Sequence, residues 1–136
     1  VLAAAPSATG VLFDLPHVAK EATASDRLTI QAGSFFKDPL PRCDCYLIME
    51  VIHDWGDDES VEILGAIRRA ALPQAKLLLI EQIIPEAPGP DWTKTLDIHM
   101  LALFGGRQRT RIEYERLLER AGFTYEQTID TPVGIS

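Results

Sequence analysis

Cysteine is scarce in this chain: Cys43 and Cys45 stand one residue apart, with no second ligand pair nearby. That spacing supports neither a disulfide framework nor a zinc site, and it fits reduced thiols in a cytoplasmic protein. Positive charge is also in short supply, 13 Lys and Arg against 20 Asp and Glu, for a net charge of -7. A nucleic-acid partner calls for clustered base, so this balance argues against one. The one dense basic cluster, Arg107, Arg109 and Arg111, is too short for such a surface and reads as a loop and helix-entry feature. No apolar run approaches the ~20 residues that span a bilayer, and the N-terminus lacks the charged start and apolar core of a signal peptide. Neither a Gly-x-Ser-x-Gly elbow nor a His-Glu-x-x-His helix occurs, so hydrolase and metalloenzyme readings lose their usual support. A neutral, small-molecule partner is the reading most easily reconciled with these absences.

What is present is an ordinary globular composition, 46% apolar and 24% charged over 136 residues, enough for one domain with a core. The chain opens without Met on Val1-Leu2-Ala3-Ala4-Ala5-Pro6, which reads as the tail of a helix in a fragment. Strands are expected over residues 10–15, 28–32, 44–52 and 76–84, each a short apolar run bounded by polar or turn-forming residues. Pro16 is placed for the first turn of a helix over 17–22. Asp57, Asp58 and Glu59 begin a second helix and Arg68 and Arg69 close it, as the helix dipole prefers, with Val61, Leu64, Ile67 and Ala71 on one face. Residues 92–104 carry Leu96, Met100 and Leu103 at helical spacing and stop at Gly105-Gly106. Thr110 and Glu113 have the form of a capping box, before a helix faced by Tyr114, Leu117, Leu118 and Ala121 and ended by Gly122. Residues 123–130 and 133–136 are expected as strands of an antiparallel hairpin at one edge. Strands alternating with helices specify a three-layer α/β fold with a mainly parallel sheet.

Three expected strand ends carry polar groups: Asp14, then His53 with Asp54, then Glu81. In a parallel sheet these ends lie on one side, where ligands bind in open α/β folds. An imidazole beside a carboxylate is a candidate general base, because the carboxylate fixes its tautomer and stabilises the imidazolium. A purely structural role for His53 stands beside that reading. Asp14 has the position of the acidic residue that accepts hydrogen bonds from a ribose, although Asp also favours strand-to-helix turns. Trp55 can stack on a flat ligand or belong to the core, and Met100 and Phe104 read by default as helix-core residues. The Gly-rich loop expected about 20 residues before Asp14 is not in the sequence.

Taken in order, Leu12-Phe13-Asp14-Leu15-Pro16-His17-Val18, Gly33-Ser34-Phe35-Phe36, Ile52-His53-Asp54-Trp55, Glu81-Gln82-Ile83-Ile84-Pro85 and Gly105-Gly106-Arg107-Gln108-Arg109-Thr110 resemble the catalytic domain of S-adenosylmethionine-dependent O-methyltransferases. The nearest group is that of the caffeate, acetylserotonin and hydroxyneurosporene enzymes. The resemblance implies a Rossmann-like methyltransferase sandwich, here without the first strand and Gly-rich loop. It also implies S-adenosylmethionine as cofactor, no metal, a small aromatic hydroxyl acceptor as partner, and a homodimeric parent protein with a separate N-terminal dimerisation domain.

By the same resemblance, His53 is the base, Glu81 orients it, Asp54 shapes the site, and Gln108 stands where many members carry Glu. Asp14 would hold the cofactor ribose, with Ser34, Phe35, Met49 and Trp55 around the adenine. Ser34 replaces the Asp that members often carry after Gly33. Trp92, Met100 and Phe104 would line the acceptor pocket. In the family's sheet the missing strand is central, which implies a gap between the strand carrying Asp14 and the strand leading to His53. The competing readings are a non-enzymatic remnant with an interaction role and a nicotinamide-dependent oxidoreductase.

Overall fold

The computed structural model describes residues 1–131. Their contacts separate into two compact units, Val1–Arg42 and Cys43–Ser136.

In the first unit β1 (Gly10–Asp14) and β2 (Leu28–Ala32) run parallel, with Gly10 opposite Leu28 and Asp14 opposite Ala32. A parallel pair requires a crossover, and α1 (Pro16–Ala19) supplies it. Pro16 fixes the entry angle, and the helix lasts a single turn rather than reaching residue 22. Residues 1–6 form turns instead of the expected helix end. The Arg27 guanidinium gathers them by donating to the carbonyls of Leu2, Ala5, Pro6 and Ala8 at 3.0–3.2 Å.

The second unit repeats the parallel pairing with β3 (Cys45–Met49) and β4 (Lys76–Ile80), joined by α2 (Asp57–Ala70). The strand expected over 76–84 is split. The chain breaks at Glu81-Gln82, and β5 (Ile83–Ile84) pairs instead with β6 (Arg109–Thr110). Glu81 is the cause, since its carboxylate turns inward to accept peptide N–H groups from the segment after β3. α3 (Trp92–Phe104) starts on an Asp91 cap and ends at left-handed Gly105. α4 (Arg111–Arg120) starts on the expected Thr110–Glu113 capping box.

The core comprises Ile48, Ile52, Ile63, Leu64, Ile67, Tyr114 and Leu117, where α2 and α4 pack together. Burying each of the fully enclosed aliphatics contributes about 1.5–3 kcal/mol. Leu103 does not join this core; with Ile98, Leu101 and Phe104 it lies on the exposed surface of α3. The expected strand over 123–130 is absent: Phe123 is tied back to Leu118, and no described strand forms a ladder with the segment. Its expected hairpin partner, 133–136, lies outside the described residues. No described strand pairs with both the β1–β2 and the β3–β4 ladder. No helix among the described residues is long and apolar enough to cross a membrane.

Candidate active site

The strand β3 ends abruptly. Glu50 takes a left-handed conformation, φ 54°, and its N–H donates to the Ile80 carbonyl at 3.0 Å. A non-glycine residue pays about 1–2 kcal/mol for that geometry. The turn it sets up is a single 3-10 helix, Ile52–Asp54, in which Ile52 and His53 are buried.

Each backbone face of this turn is matched by a group from a distant part of the sequence. The N–H groups of Val51 and Ile52 donate to Glu81 Oε1 at 3.1 and 2.8 Å. The Ile52 carbonyl accepts from Arg109 Nη1 at 3.1 Å, the Trp55 carbonyl from Nη2 at 2.9 Å, and the His53 carbonyl from the Arg107 N–H at 2.9 Å. Gly106 lies flat against the turn, where a Cβ would fall 2.1 Å from the His53 carbonyl oxygen. Only glycine fits such an approach.

The imidazole sits among three polar side chains. Nδ1 is 3.0 Å from Glu81 Oε2 and 3.2 Å from the Gln108 amide, and Nε2 is 3.4 Å from Asp54 Oδ1. Glu81 and Gln108 are each 1% exposed. Both ring nitrogens face a carboxylate oxygen, but Glu81 at Nδ1 is the closer and the more deeply buried, so the neutral ring keeps its proton on Nδ1 and its lone pair on Nε2. Gln108 presents its amide nitrogen to Nδ1 and leaves its buried oxygen without a partner, so the flipped amide is the one that suits that tautomer. The hydrogen bond to Glu81 holds the His53 pKa above the ordinary value, against the opposing effect of burial; the charges of Glu81, Asp54 and Glu50 act in the same direction. Burial pushes Asp54 up, and the nearby imidazole partly offsets it. Glu50, His53 and Glu81 offer ligand-type atoms within 4.8 Å of one another. Both oxygens of Glu81, however, are already engaged by the Val51, Ile52 and His53 groups.

The remaining expected site residues are distributed over both units. In the first, the Asp14 carboxylate at the end of β1 accepts the Leu15 N–H at 2.7 Å, the Ser34 hydroxyl accepts the Phe36 N–H at 3.4 Å, and the Phe35 ring lies 5.9 Å from that of Phe13. In the second, Met49 is exposed at the end of β3 and Trp55 is half-buried after the turn. Along α3, Met100 is buried while Trp92 and Phe104 are exposed. The two aromatics mark opposite ends of the helix, about 18 Å apart along its axis.

Sequence reasoning missed three residues. Glu50 lay within an apolar run, and its backbone angle is invisible in sequence. Gly106 reads from the sequence as a helix stop and as part of the family motif, although a paired glycine is also a signal for close backbone approach. Arg109 reads from the sequence as a loop and helix-entry feature, yet it is wholly buried.

Residues 1–124 match the sequence profile of the O-methyltransferase domain. The chain belongs to that family. It is 39% identical to the phenazine O-methyltransferase PhzM of Lysobacter antibioticus, a match that takes in all of this chain and 42% of that protein. It is 41% identical to an 8-amino-8-demethylriboflavin N,N-dimethyltransferase of Streptomyces davaonensis, over 90% of the chain and 38% of the relative. Human N-acetylserotonin methyltransferase, solved in complex with SAM, superposes with a TM-score of 0.91 at 32% identity, over 98% of this chain and 40% of that one. The chain thus spans about 40% of the length of these relatives. That likeness carries the Rossmann-like methyltransferase fold, and family membership decides against the nicotinamide reading. The donor set of the first unit fits a nucleoside cofactor: a carboxylate at a parallel strand's C-terminal end suits ribose hydroxyls, and a hydroxyl and an aromatic ring lie in the turn just after the neighbouring strand.

Proposed function

We propose that the chain is the catalytic part of an S-adenosylmethionine-dependent O-methyltransferase acting on a hydroxyl of a small aromatic acceptor, with His53 as general base. The observation that supports this most is the Glu81–His53 pair, a buried carboxylate 3.0 Å from Nδ1 that leaves Nε2 as the basic nitrogen. Asp14, Ser34, Phe35, Met49 and Trp55 are proposed as the cofactor-binding residues. When bound, the cofactor supplies a methyl group on a positive sulfur that accepts the electrons of the breaking C–S bond.

His53 Nε2 takes the hydroxyl proton as the acceptor oxygen forms its bond to carbon, so a positive charge arises on the imidazole. Glu81 and Asp54 face that charge from the two ring nitrogens. Gln108 contributes a neutral hydrogen bond. A positioned base of this kind contributes roughly 10²–10⁴ in rate. Trp92, Met100 and Phe104 would supply apolar surface for the acceptor, and the parent protein is proposed as a cytoplasmic homodimer.

Calorimetric titration with S-adenosylhomocysteine, into this chain and into a version extended N-terminally to the length of its relatives, tests cofactor binding. Binding by neither would leave the non-enzymatic remnant. In whichever form transfers methyl groups, His53→Ala is expected to keep cofactor binding and lose transfer; full transfer by that variant would overturn the base assignment.

A further inference from the structure

The strongest unassigned feature is a buried cation behind the turn. Arg109 is 0% exposed, and every N–H of its guanidinium has a partner. Nε donates to Asp57 Oδ1 at 3.0 Å, Nη1 to the Ile52 and Arg107 carbonyls at 3.1 and 3.2 Å, and Nη2 to the Trp55 carbonyl at 2.9 Å and Asp57 Oδ1 at 2.8 Å, with Ser60 Oγ at 3.3 Å. Two of these acceptors, the carbonyls of Ile52 and Trp55, bracket His53-Asp54 in sequence. A third, that of Arg107, belongs to the residue whose own N–H holds the His53 carbonyl. Helix α2 supplies Asp57 and Ser60 from its first turn, so the guanidinium joins the turn, the start of α2 and the Gly106–Arg109 segment.

We propose that Arg109 is a positioning residue for His53, setting the height and angle of the imidazole between Glu81 and Asp54. This rests on the reading of His53 as base. A planar fork with five donors in fixed directions can hold carbonyls on two sides of a turn at once, whereas an ammonium on a flexible stem cannot. Gly106 completes the seat, because its missing side chain lets the segment press on the His53 and Asp54 peptides. The groups facing the imidazole stay the same in character: Glu81 and Gln108 at Nδ1, Asp54 at Nε2, and Glu50 nearby.

Arg109→Lys keeps the charge and removes the fork. In the folded variant, NMR is expected to show faster exchange of the Val51, Ile52 and Arg107 amide protons, and a His53 titration midpoint moved toward the ordinary value of about 6.5. In the active form, kcat is expected to fall while cofactor binding holds. If Arg109→Lys does not fold, Asp57→Asn loosens the same guanidinium from its half-exposed partner, and the same amides are read. Unchanged exchange and an unchanged midpoint in the folded variant would overturn the proposal. These readouts need no turnover. A failed base assignment shows in His53→Ala activity, whereas a failed positioning role shows in unaltered spectra.

Discussion

One oxygen of Glu81 holds the imidazole of His53, at 3.0 Å from Nδ1, while the other accepts the two peptide N–H groups leading into it, at 3.1 and 2.8 Å. A single buried carboxylate therefore sets both the charge environment of the ring and the backbone beneath it.

These two duties separate in two substitutions. Glu81→Gln retains an oxygen for the backbone but removes the charge, so burial then dominates and the His53 midpoint falls. Methyl transfer is expected to drop within the ~10²–10⁴ range of a lost base, with little change in urea stability at a pH above the folded His53 midpoint. Glu81→Ala leaves two N–H groups without an acceptor, at about 1–3 kcal/mol for each buried group, and is expected to lower the urea midpoint as well.

The raised pKa of His53 fixes the direction of two pH dependences. As a base the ring must be neutral, so the rate is expected to rise with pH through a midpoint above about 6.5. For stability the sign is opposite. The folded state holds the proton more tightly than the unfolded chain, so this contribution is full below the unfolded value of about 6.5 and is lost as pH rises through the folded pKa. Denaturant melts of the native chain and of His53→Ala across that window test it: the difference between them is expected to shrink as pH rises.

The two adjacent glycines are expected to respond differently to alanine. Gly105 has φ 74° with open space around it, so Gly105→Ala costs about 1–2 kcal/mol in backbone strain alone. Gly106→Ala drives a methyl group into the His53 and Asp54 peptides, where neither side can yield cheaply. Thermal unfolding is expected to show the larger loss at Gly106, and the cofactor-independent NMR signals of His53 to move only there.

Thr110→Ala removes the hydroxyl that accepts the Glu113 N–H, one half of the capping box. A loss of about 1 kcal/mol is expected in a chemical melt. Thr110→Ser, which restores the acceptor, is expected to recover most of it.

Where local chemistry decided the structure, the sequence was informative. The α3 helix spans residues 92–104 and stops at glycine, β2 ends just before Gly33, and the Thr110–Glu113 box opens α4, as the sequence pattern indicates. Strand ends alone allow His53 and Glu81 to converge on one cleft, and it is the family resemblance that implies their pairing. What escaped was decided by partners far along the chain. The split of β4 from β5 depends on the Glu81 carboxylate reaching residues 29 and 30 positions earlier. Residues 123–130 have strand-like composition but no ladder to join. A wholly buried arginine cannot be recognised until its acceptors, spread from Ile52 to Arg107, are seen around it.

Arg109 brings a last consequence. Its acceptors are three backbone carbonyls, one carboxylate and one hydroxyl, none of them on the imidazole ring. The seat of the proposed base is thus held apart from the ring mounted on it, which would change charge in every cycle. On the proposed mechanism, proton transfer at Nε2 would leave the turn packed as it is, so the geometry that receives one acceptor would already be in place for the next.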